Sequence, residues 1–285
     1  MSGSMRGFRF LILMCLAGAL AVPASADTPD PSPRRVVSMN LCTDQLAMLV
    51  AGPDQLISVS YLAYDPRGSA MAEEARAYRM NRGLAEEIYL MQPDLVIAGS
   101  FSTRATVDML RRLGIPVAIF DPAYSLDDVR TRLREMGDTL GRANAAEALI
   151  ADFDAQLEAL RAGSAARLRA AIYYANGYTS GDRTLAGQIL DAAGFDNAAV
   201  EAGFAAGGIL PLEVLALLDP SVLITGRRYP AASRSEAILD HPVVQFLREG
   251  RASGTFADRD WVCGTPYVLR AIAELRDVHQ SVAGE

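Results

Sequence analysis

The chain has 285 residues, a formal net charge of −7 and 51% apolar residues, and all 27 of its basic side chains are arginine. No basic run exists to neutralise phosphates, which argues against nucleic-acid binding, and the absence of lysine excludes a Walker-type phosphate loop and Schiff-base chemistry. Enough apolar residues are present to build real cores, and the length fits one large or two medium domains.

Met1 to Ala26 reads as a leader. Arg6 and Arg9 form a basic start, Phe10–Val22 is an apolar run, and Ala24-Ser25-Ala26 is a small-residue cleavage site. The run is too short for a permanent bilayer span, so an exported soluble protein cut after Ala26 is expected. A retained anchor and a lipoprotein are the alternatives. Cys15 lies behind Met14, without the small residue that precedes a lipidated cysteine. Asp27–Pro33 is a proline-rich tether.

Val36–Met39 is a first short strand, Asn40-Leu41-Cys42-Thr43 the turn after it, and Thr43 or Asp44 caps a helix over Gln45–Ala51. Leu56–Tyr61 is a second strand. Leu62–Arg82, bearing Tyr64, Asp65, Arg67, Tyr78, Arg79 and Arg82, is a loop long enough to be functional. Leu84–Met91 reads as a helix, Asp94–Ala98 as a buried strand, Thr103–Leu113 as a helix and Val117–Phe120 as a strand. Ser125 caps a helix over Leu126–Leu140, with Asp127 and Asp128 in its first turn.

The middle of the chain is one helix, roughly Asn144–Ala162, with Asn144 and Glu147 placed as a capping box and Gly163 as its stop. Leu149, Ile150, Phe153, Leu157 and Leu160 form its apolar stripe. About 19 residues at about 1.5 Å each make a rod of roughly 28 Å. Beyond it come a strand over Arg169–Tyr174, a glycine-rich turn over Asn176–Gly181, a helix over Thr184–Ala193, a helix over Leu212–Leu218 and a strand over Ser221–Thr225. A short helix over Asp240–Leu247 follows, Trp261-Val262-Cys263 lies on or just after a strand, and Tyr267–Val282 is the closing helix. Strands alternating with helices predict mostly parallel sheets.

The two halves repeat a unit. Glu86 precedes Pro93 by seven residues and Asp94-Leu95-Val96-Ile97 follows; Glu213 precedes Pro220 by seven and Ser221-Val222-Leu223-Ile224 follows. The organisation expected is a leader over 1–26, an N-terminal lobe over 27–143, a connecting helix over 144–163 and a C-terminal lobe over 164–285.

Beyond the leader only Cys42 and Cys263 remain, compatible with one disulfide, with a thiolate pair touching a metal or cofactor, or with two separate thiols. His241 precedes a proline and His279 lies on the closing helix, so histidine-ligated haem or zinc is disfavoured. No metal site and no cofactor are expected. Neither a G-x-S-x-G elbow nor a G-x-G-x-x-G after a strand is present, and an enzyme is not expected.

With Leu84–Ala98 and its Gln92-Pro93-Asp94-Leu95-Val96-Ile97, the stretch Thr179-Ser180-Gly181 to Gly194, and Asp260-Trp261, the chain resembles a class III periplasmic substrate-binding protein from Arg34 to about Val282. That family delivers vitamin B12, ferric siderophores and haem to ABC importers. The resemblance implies two Rossmann-like α/β lobes joined by one long helix, a monomer, and a metal-chelate ligand in the cleft between lobes. It also implies docking on an ABC permease dimer at the inner membrane, with Glu86 and Glu213 facing permease arginines; solvated helix-start carboxylates are the alternative.

Strand ends place Asn40, Leu41, Cys42, Tyr61, Tyr64, Ser100 and Phe101 in the cleft from the first lobe, and Tyr178, Thr179, Arg227, Trp261 and Cys263 from the second. Arg79, Arg82, Arg104 and Arg227-Arg228 are candidate partners for ligand carboxylates. A corrinoid or ferric siderophore is the expected ligand, with haem the variant within the family. An exported enzyme on the same scaffold, or a ligand sensor without a transporter, is the alternative class.

Overall fold

Two parallel sheets carry the chain, each with helices on both faces. The computed structural model describes Met1 and residues 32–161, 166–228, 233–249 and 252–284. The leader with Cys15 and its cleavage site, the first part of the tether and the Gly163 stop lie outside the described residues.

The first sheet contains β1 (Val36–Ser38), β2 (Leu56–Ser60), β3 (Arg79–Asn81), β4 (Leu95–Gly99) and β5 (Val117–Phe120), in the order β3-β2-β1-β4-β5 and parallel throughout. Parallel neighbours require crossovers, and α1 (Leu41–Val50), α2 (Ala85–Leu90) and α3 (Arg104–Arg112) lie in three of them, while α4 (Leu126–Leu140) follows β5. Alternation along each strand sorts the faces. Val37, Val96 and Ala98 meet Ile88 of α2 and Leu110 of α3, while Val36 and Ile97 face the side of Leu46 in α1 and Leu133 in α4.

The second sheet contains β6 (Leu168–Ile172), β8 (Phe195–Asn197), β10 (Val222–Gly226) and β11 (Ala252–Phe256), in the parallel order β11-β10-β6-β8. Outside it, β7 (Tyr178–Thr179) and β9 (Gly208–Ile209) form an antiparallel ribbon. The helices of this half are α6 (Leu185–Ala192), α7 (Ala198–Glu201), α8 (Leu212–Leu218), α9 (Pro242–Glu249), α10 (Asp258–Trp261) and α11 (Val268–Ala283).

Between the sheets runs α5 (Ala143–Arg161). Its Ile150, Phe153 and Leu157 are buried and Leu149 and Leu160 half-buried, as the stripe requires. One apolar cluster runs from Val36 and Ile97 through Met136 of α4 and Phe153 to Ile189 of α6, Ile272 of α11 and Ile224 of the second sheet. Both lobes therefore share a core.

Several expectations change. The capping box does not form: Gly141, in the left-handed region at φ 67°, turns α4 directly into α5, so the Arg142 carbonyl already accepts from the Ala145 and Ala146 amides. Asn144 is thereby inside the first turn, and Glu147 reaches across to Arg134 of α4 at 2.6 Å. Helix α1 begins at Leu41 rather than Gln45, because the Asn40 side chain caps it by accepting from the Cys42 amide at 3.0 Å. Thr43 and Asp44 are consequently buried helix residues and not caps. Trp261 lies on α10, not on a strand, and Cys263 follows it; β11 ends earlier, at Phe256. Strand β3 occupies the end of the expected loop, and β8 was not expected either.

Cys42 and Cys263 are joined in a disulfide, with Cα atoms 4.8 Å apart and a sequence separation of 221. The bridge ties the first turn of α1 to the segment after α10, and so ties the lobes together. Closing so long a loop removes unfolded-state entropy. Replacing both cysteines by serine is expected to cost about 3–5 kcal/mol in urea unfolding of the mature protein; a loss below about 1 kcal/mol would contradict a stapling role.

Candidate ligand cleft

The strand ends of the first lobe rest on a buried polar layer. The Asn81 amide donates to the Ser38 carbonyl at 2.8 Å and to the Ser58 hydroxyl at 2.9 Å, and the Ser38 and Thr43 hydroxyls share a hydrogen bond of 2.8 Å. Asp44, fully buried, accepts from the Ser60 hydroxyl at 2.5 Å, while its Oδ1 has no hydrogen-bond partner. Burial pushes its carboxyl up to about 6, and the hydroxyls of Ser38 and Ser60 pull it back only part of the way.

Above this layer lies a cavity of about 170 Å³ that draws on both lobes. Asn40, Cys42, Ser100, Phe101, Asp121 and Arg132 line it from the first lobe, and Val262 and Cys263 from the second. The Arg132 guanidinium reaches Glu135 at 2.6 Å through Nη1, and its buried Nε has no hydrogen-bond partner. Close by, the lobes nearly touch: a Cβ on Gly264, whose φ is 54°, would sit 2.3 Å from the Ala123 Cβ.

A second cavity, about 330 Å³, is lined by Pro66 and Arg67 of the first lobe and by Arg227, Arg228, Ala257, Asp258 and Arg259 of the second. Here the Arg259 amide donates to the Arg67 carbonyl at 3.1 Å across the lobes. Each arginine also has an acidic neighbour. Arg67 holds Asp65 through two bonds of 3.0 and 2.9 Å and thereby lowers that carboxyl below its ordinary value. Arg228 reaches Asp240 at 2.6 Å, Arg227 approaches Glu274 at 3.4 Å and Arg259 approaches Asp260 at 3.6 Å.

The rings of Trp261 and Tyr174 stack with centroids 5.7 Å apart and planes 3° from parallel. Burial raises the Tyr174 hydroxyl well above its usual range, and that hydroxyl has no hydrogen-bond partner.

Of the residues expected in the cleft, Asn40, Cys42, Ser100, Phe101 and Cys263 converge on the smaller cavity, and Arg227 reaches the larger. Tyr61 and Tyr178 are exposed and line neither; Leu41 lies against Gly68. Tyr64 and Thr179 serve the scaffold. The Tyr64 hydroxyl donates to the Tyr78 carbonyl at 2.6 Å, and Thr179, fully buried, donates to the Ile172 carbonyl at 2.6 Å. Arg79, Arg82 and Arg104 line neither cavity, whereas Arg228 does line the larger. Asp121, Arg132 and Arg259 were missed, and Arg67 was named only within the long loop. Asp121 follows β5 directly, so the strand-end rule that selected Ser100 had the signal for it.

Both histidines are engaged locally. A His279 ring nitrogen bonds the Ala166 carbonyl at 2.8 Å, and His241 Nδ1 accepts from the Val243 amide at 3.3 Å. Among the described residues, no group of three or more His, Cys, Asp and Glu is placed to hold a metal ion, and no helix is long and apolar enough to cross a membrane.

The Asp44 carboxyl generates a prediction of definite sign. Its folded value lies above its unfolded one near 3.8, so its stabilisation is full below about pH 4 and is lost as pH rises through about 6. Relative to Asp44→Asn, the wild-type protein is expected to lose about 3 kcal/mol between pH 4 and pH 7 in urea unfolding. A pH-independent difference would contradict a buried, desolvated carboxyl.

Comparison with known proteins identifies the architecture. A family model described as "Periplasmic binding protein" matches residues 36–251. A protein named Cobalamin-binding protein from Halobacterium salinarum is 30% identical over 208 residues, 71% of this chain and 56% of the relative. A Vitamin B12-binding protein from Pectobacterium carotovorum is 28% identical over 173 residues, 58% of this chain and 61% of the relative. The match thus spans a little over half the length of these curated relatives. The apo periplasmic heme-binding protein RhuT from Roseiflexus sp. superposes with a TM-score of 0.67 at 22% identity, covering 87% of this chain and 99% of that one, a likeness of fold. With its family match and its two parallel-sheet lobes joined by one long helix, the chain belongs to the periplasmic binding proteins, in the class III substrate-binding group.

Proposed function

We propose that the chain is the exported capture component of an ABC importer. It takes a corrinoid between its lobes and hands it, as a monomer, to a permease dimer at the inner membrane. The supporting observation is that the relative named Cobalamin-binding protein aligns over 71% of the chain, more than either lobe alone. The relatives are named as binding proteins, so catalysis is not part of the reading.

The chemistry fits a large ligand held at several points. Neither cavity alone reaches far into the range of about 300–1,000 Å³ usual for small-molecule pockets, so a macrocycle would span both and the open surface between. Phe101, 81% exposed at the mouth of the smaller cavity, offers an apolar face. Arg67, Arg227, Arg228 and Arg259 offer charge-assisted donors to the phosphodiester of a corrinoid's nucleotide loop. The same four arginines support a second reading, a carboxylate-bearing ligand such as haem or a ferric siderophore. Glu86 and Glu213 are exposed on α2 and α8 and supply orienting charge toward permease arginines.

Trp261 is the only tryptophan and reports on the interlobe region. In a fluorescence titration of the mature protein, cyanocobalamin is expected to quench saturably at sub-micromolar concentration. Cobinamide, which lacks the phosphodiester, is expected to bind about tenfold more weakly, and Arg227→Ala to remove most of that difference. Saturation by haem or a ferric siderophore alone would replace the corrinoid reading by the second one. Silence with every ligand, in fluorescence and in thermal shift alike, would overturn ligand capture in favour of an exported enzyme or a sensor of another ligand.

A further inference from the structure

The repeated unit of the two lobes is matched residue for residue, and its least expected members are two leucines. Helices α2 and α8 each begin after an extended residue without a side-chain cap, Leu84 and Pro211, so that Glu86 and Glu213 are each the second residue of their helix. Ile88 and Leu215, both fully buried, seat the two helices on the outer faces of their sheets. Each helix gives way to a non-glycine residue in the left-handed region just before a proline: Gln92 at φ 49° before Pro93, and Asp219 at φ 48° before Pro220. The next amides, of Asp94 and Ser221, donate to the carbonyls of Arg35 and Arg169 at 3.1 and 2.9 Å.

Four residues after each glutamate, on the same helix face, stand Leu90 and Leu217. They are 76% and 85% exposed, the most exposed leucines among the described residues. One exposed leucine needs no explanation. Two at the same place in both lobes, each beside the matching glutamate, contribute nothing to either core and are not accounted for by folding.

We propose that Leu90 and Leu217 are paired apolar anchors of the permease-docking surface, each entering an apolar pocket beside the basic residue that its neighbouring glutamate faces. This rests on the importer reading above. A surface presented twice by one chain fits a partner that presents its own surface twice, which is the geometry of a twofold permease dimer. The pairing of charges also selects the occupant: exposed carboxylates favour a basic rim, and ion pairs at a rim orient the encounter more than they hold it. Burial of the leucines then resists dissociation, and two linked contacts reinforce each other through effective concentration. On the first lobe the anchor has extra surface, a hollow of about 280 Å³ lined by Tyr89, Leu90, Gln92, Pro93 and Ile115; Ala216 stands where Tyr89 does in the first lobe.

The test is surface plasmon resonance of the mature protein against the corrinoid permease–ATPase complex of its own source organism in lipid nanodiscs. Leu90→Ser and Leu217→Ser are each expected to weaken binding about tenfold, mainly through faster dissociation, and the double variant more than either. Thermal melting and cyanocobalamin titration of these variants should match wild type, because both side chains lie outside the core and away from the cleft. Glu86→Gln and Glu213→Gln should act chiefly on the association rate and its salt dependence. Leu113→Ser, an exposed leucine with no glutamate partner in the repeat, should bind as wild type. Leucine variants that bind within twofold of wild type while the glutamate variants bind weakly would overturn the anchors and leave the importer reading standing. Failure of the wild-type protein to bind the complex would overturn both.

Discussion

The apolar core shared by the two lobes is the constraint on which the rest depends. Ile150, Phe153 and Leu157 of α5 belong to a cluster that begins on the first sheet and ends on the second, so neither sheet completes its inner face without this helix. Full burial of each such side chain is worth about 1.5–3 kcal/mol, which a separation of the lobes would forfeit in part. The disulfide then restrains the lobes at a second place, and the Ala123–Gly264 approach and the Arg259–Arg67 hydrogen bond lie on the same interlobe boundary. A cleft held at two places is preorganised. Less of a ligand's binding energy is spent on ordering the protein, and wide hinge motion of the kind seen with loop-linked lobes is disfavoured.

Preorganisation extends to the polar groups beneath the cleft. Parallel strands expose amides and carbonyls at their ends, and the first lobe answers with short hydroxyl and amide side chains, Ser38, Thr43, Ser58, Ser60 and Asn81, all buried. Asp44 sits among them at the cost of desolvation, which explains its raised carboxyl. The charged groups lie further out. Arg67, Arg227, Arg228 and Arg259 approach the larger cavity while keeping acidic neighbours, so an anionic ligand group would compete with existing ion pairs and not meet bare charge.

Much of the fold was legible because its signals were local. Ser125 caps α4 by accepting from the Asp128 amide, and α4 spans Leu126–Leu140 as read; Thr184 caps α6 in the same way. Apolar β4, β5 and β10 were plain from composition. What escaped depended on partners distant in sequence. Strands β3 and β8 are three-residue edge strands with a polar residue at every position but Met80 and Phe195, so no alternation marks them. Asn144 and Glu147 had the spacing of a capping box, but the tight turn at Gly141 left no free helix start for them to close. Around the smaller cavity, the strand-end rule picked out Asn40, Ser100 and Phe101, whereas Arg67 and Arg259 meet only because a turn of the first lobe and helix α10 of the second fold together. The two cysteines were visible from the start; their pairing required the geometry.

If the shared core and the disulfide set the lobe separation, ligand should enter without a large change of shape. Small-angle X-ray scattering of the oxidised mature protein, with and without saturating cyanocobalamin, measures this directly. The expected result is a radius of gyration unchanged to within about 1 Å. A contraction of several ångströms on binding would contradict a cleft held at fixed width by its core and its disulfide.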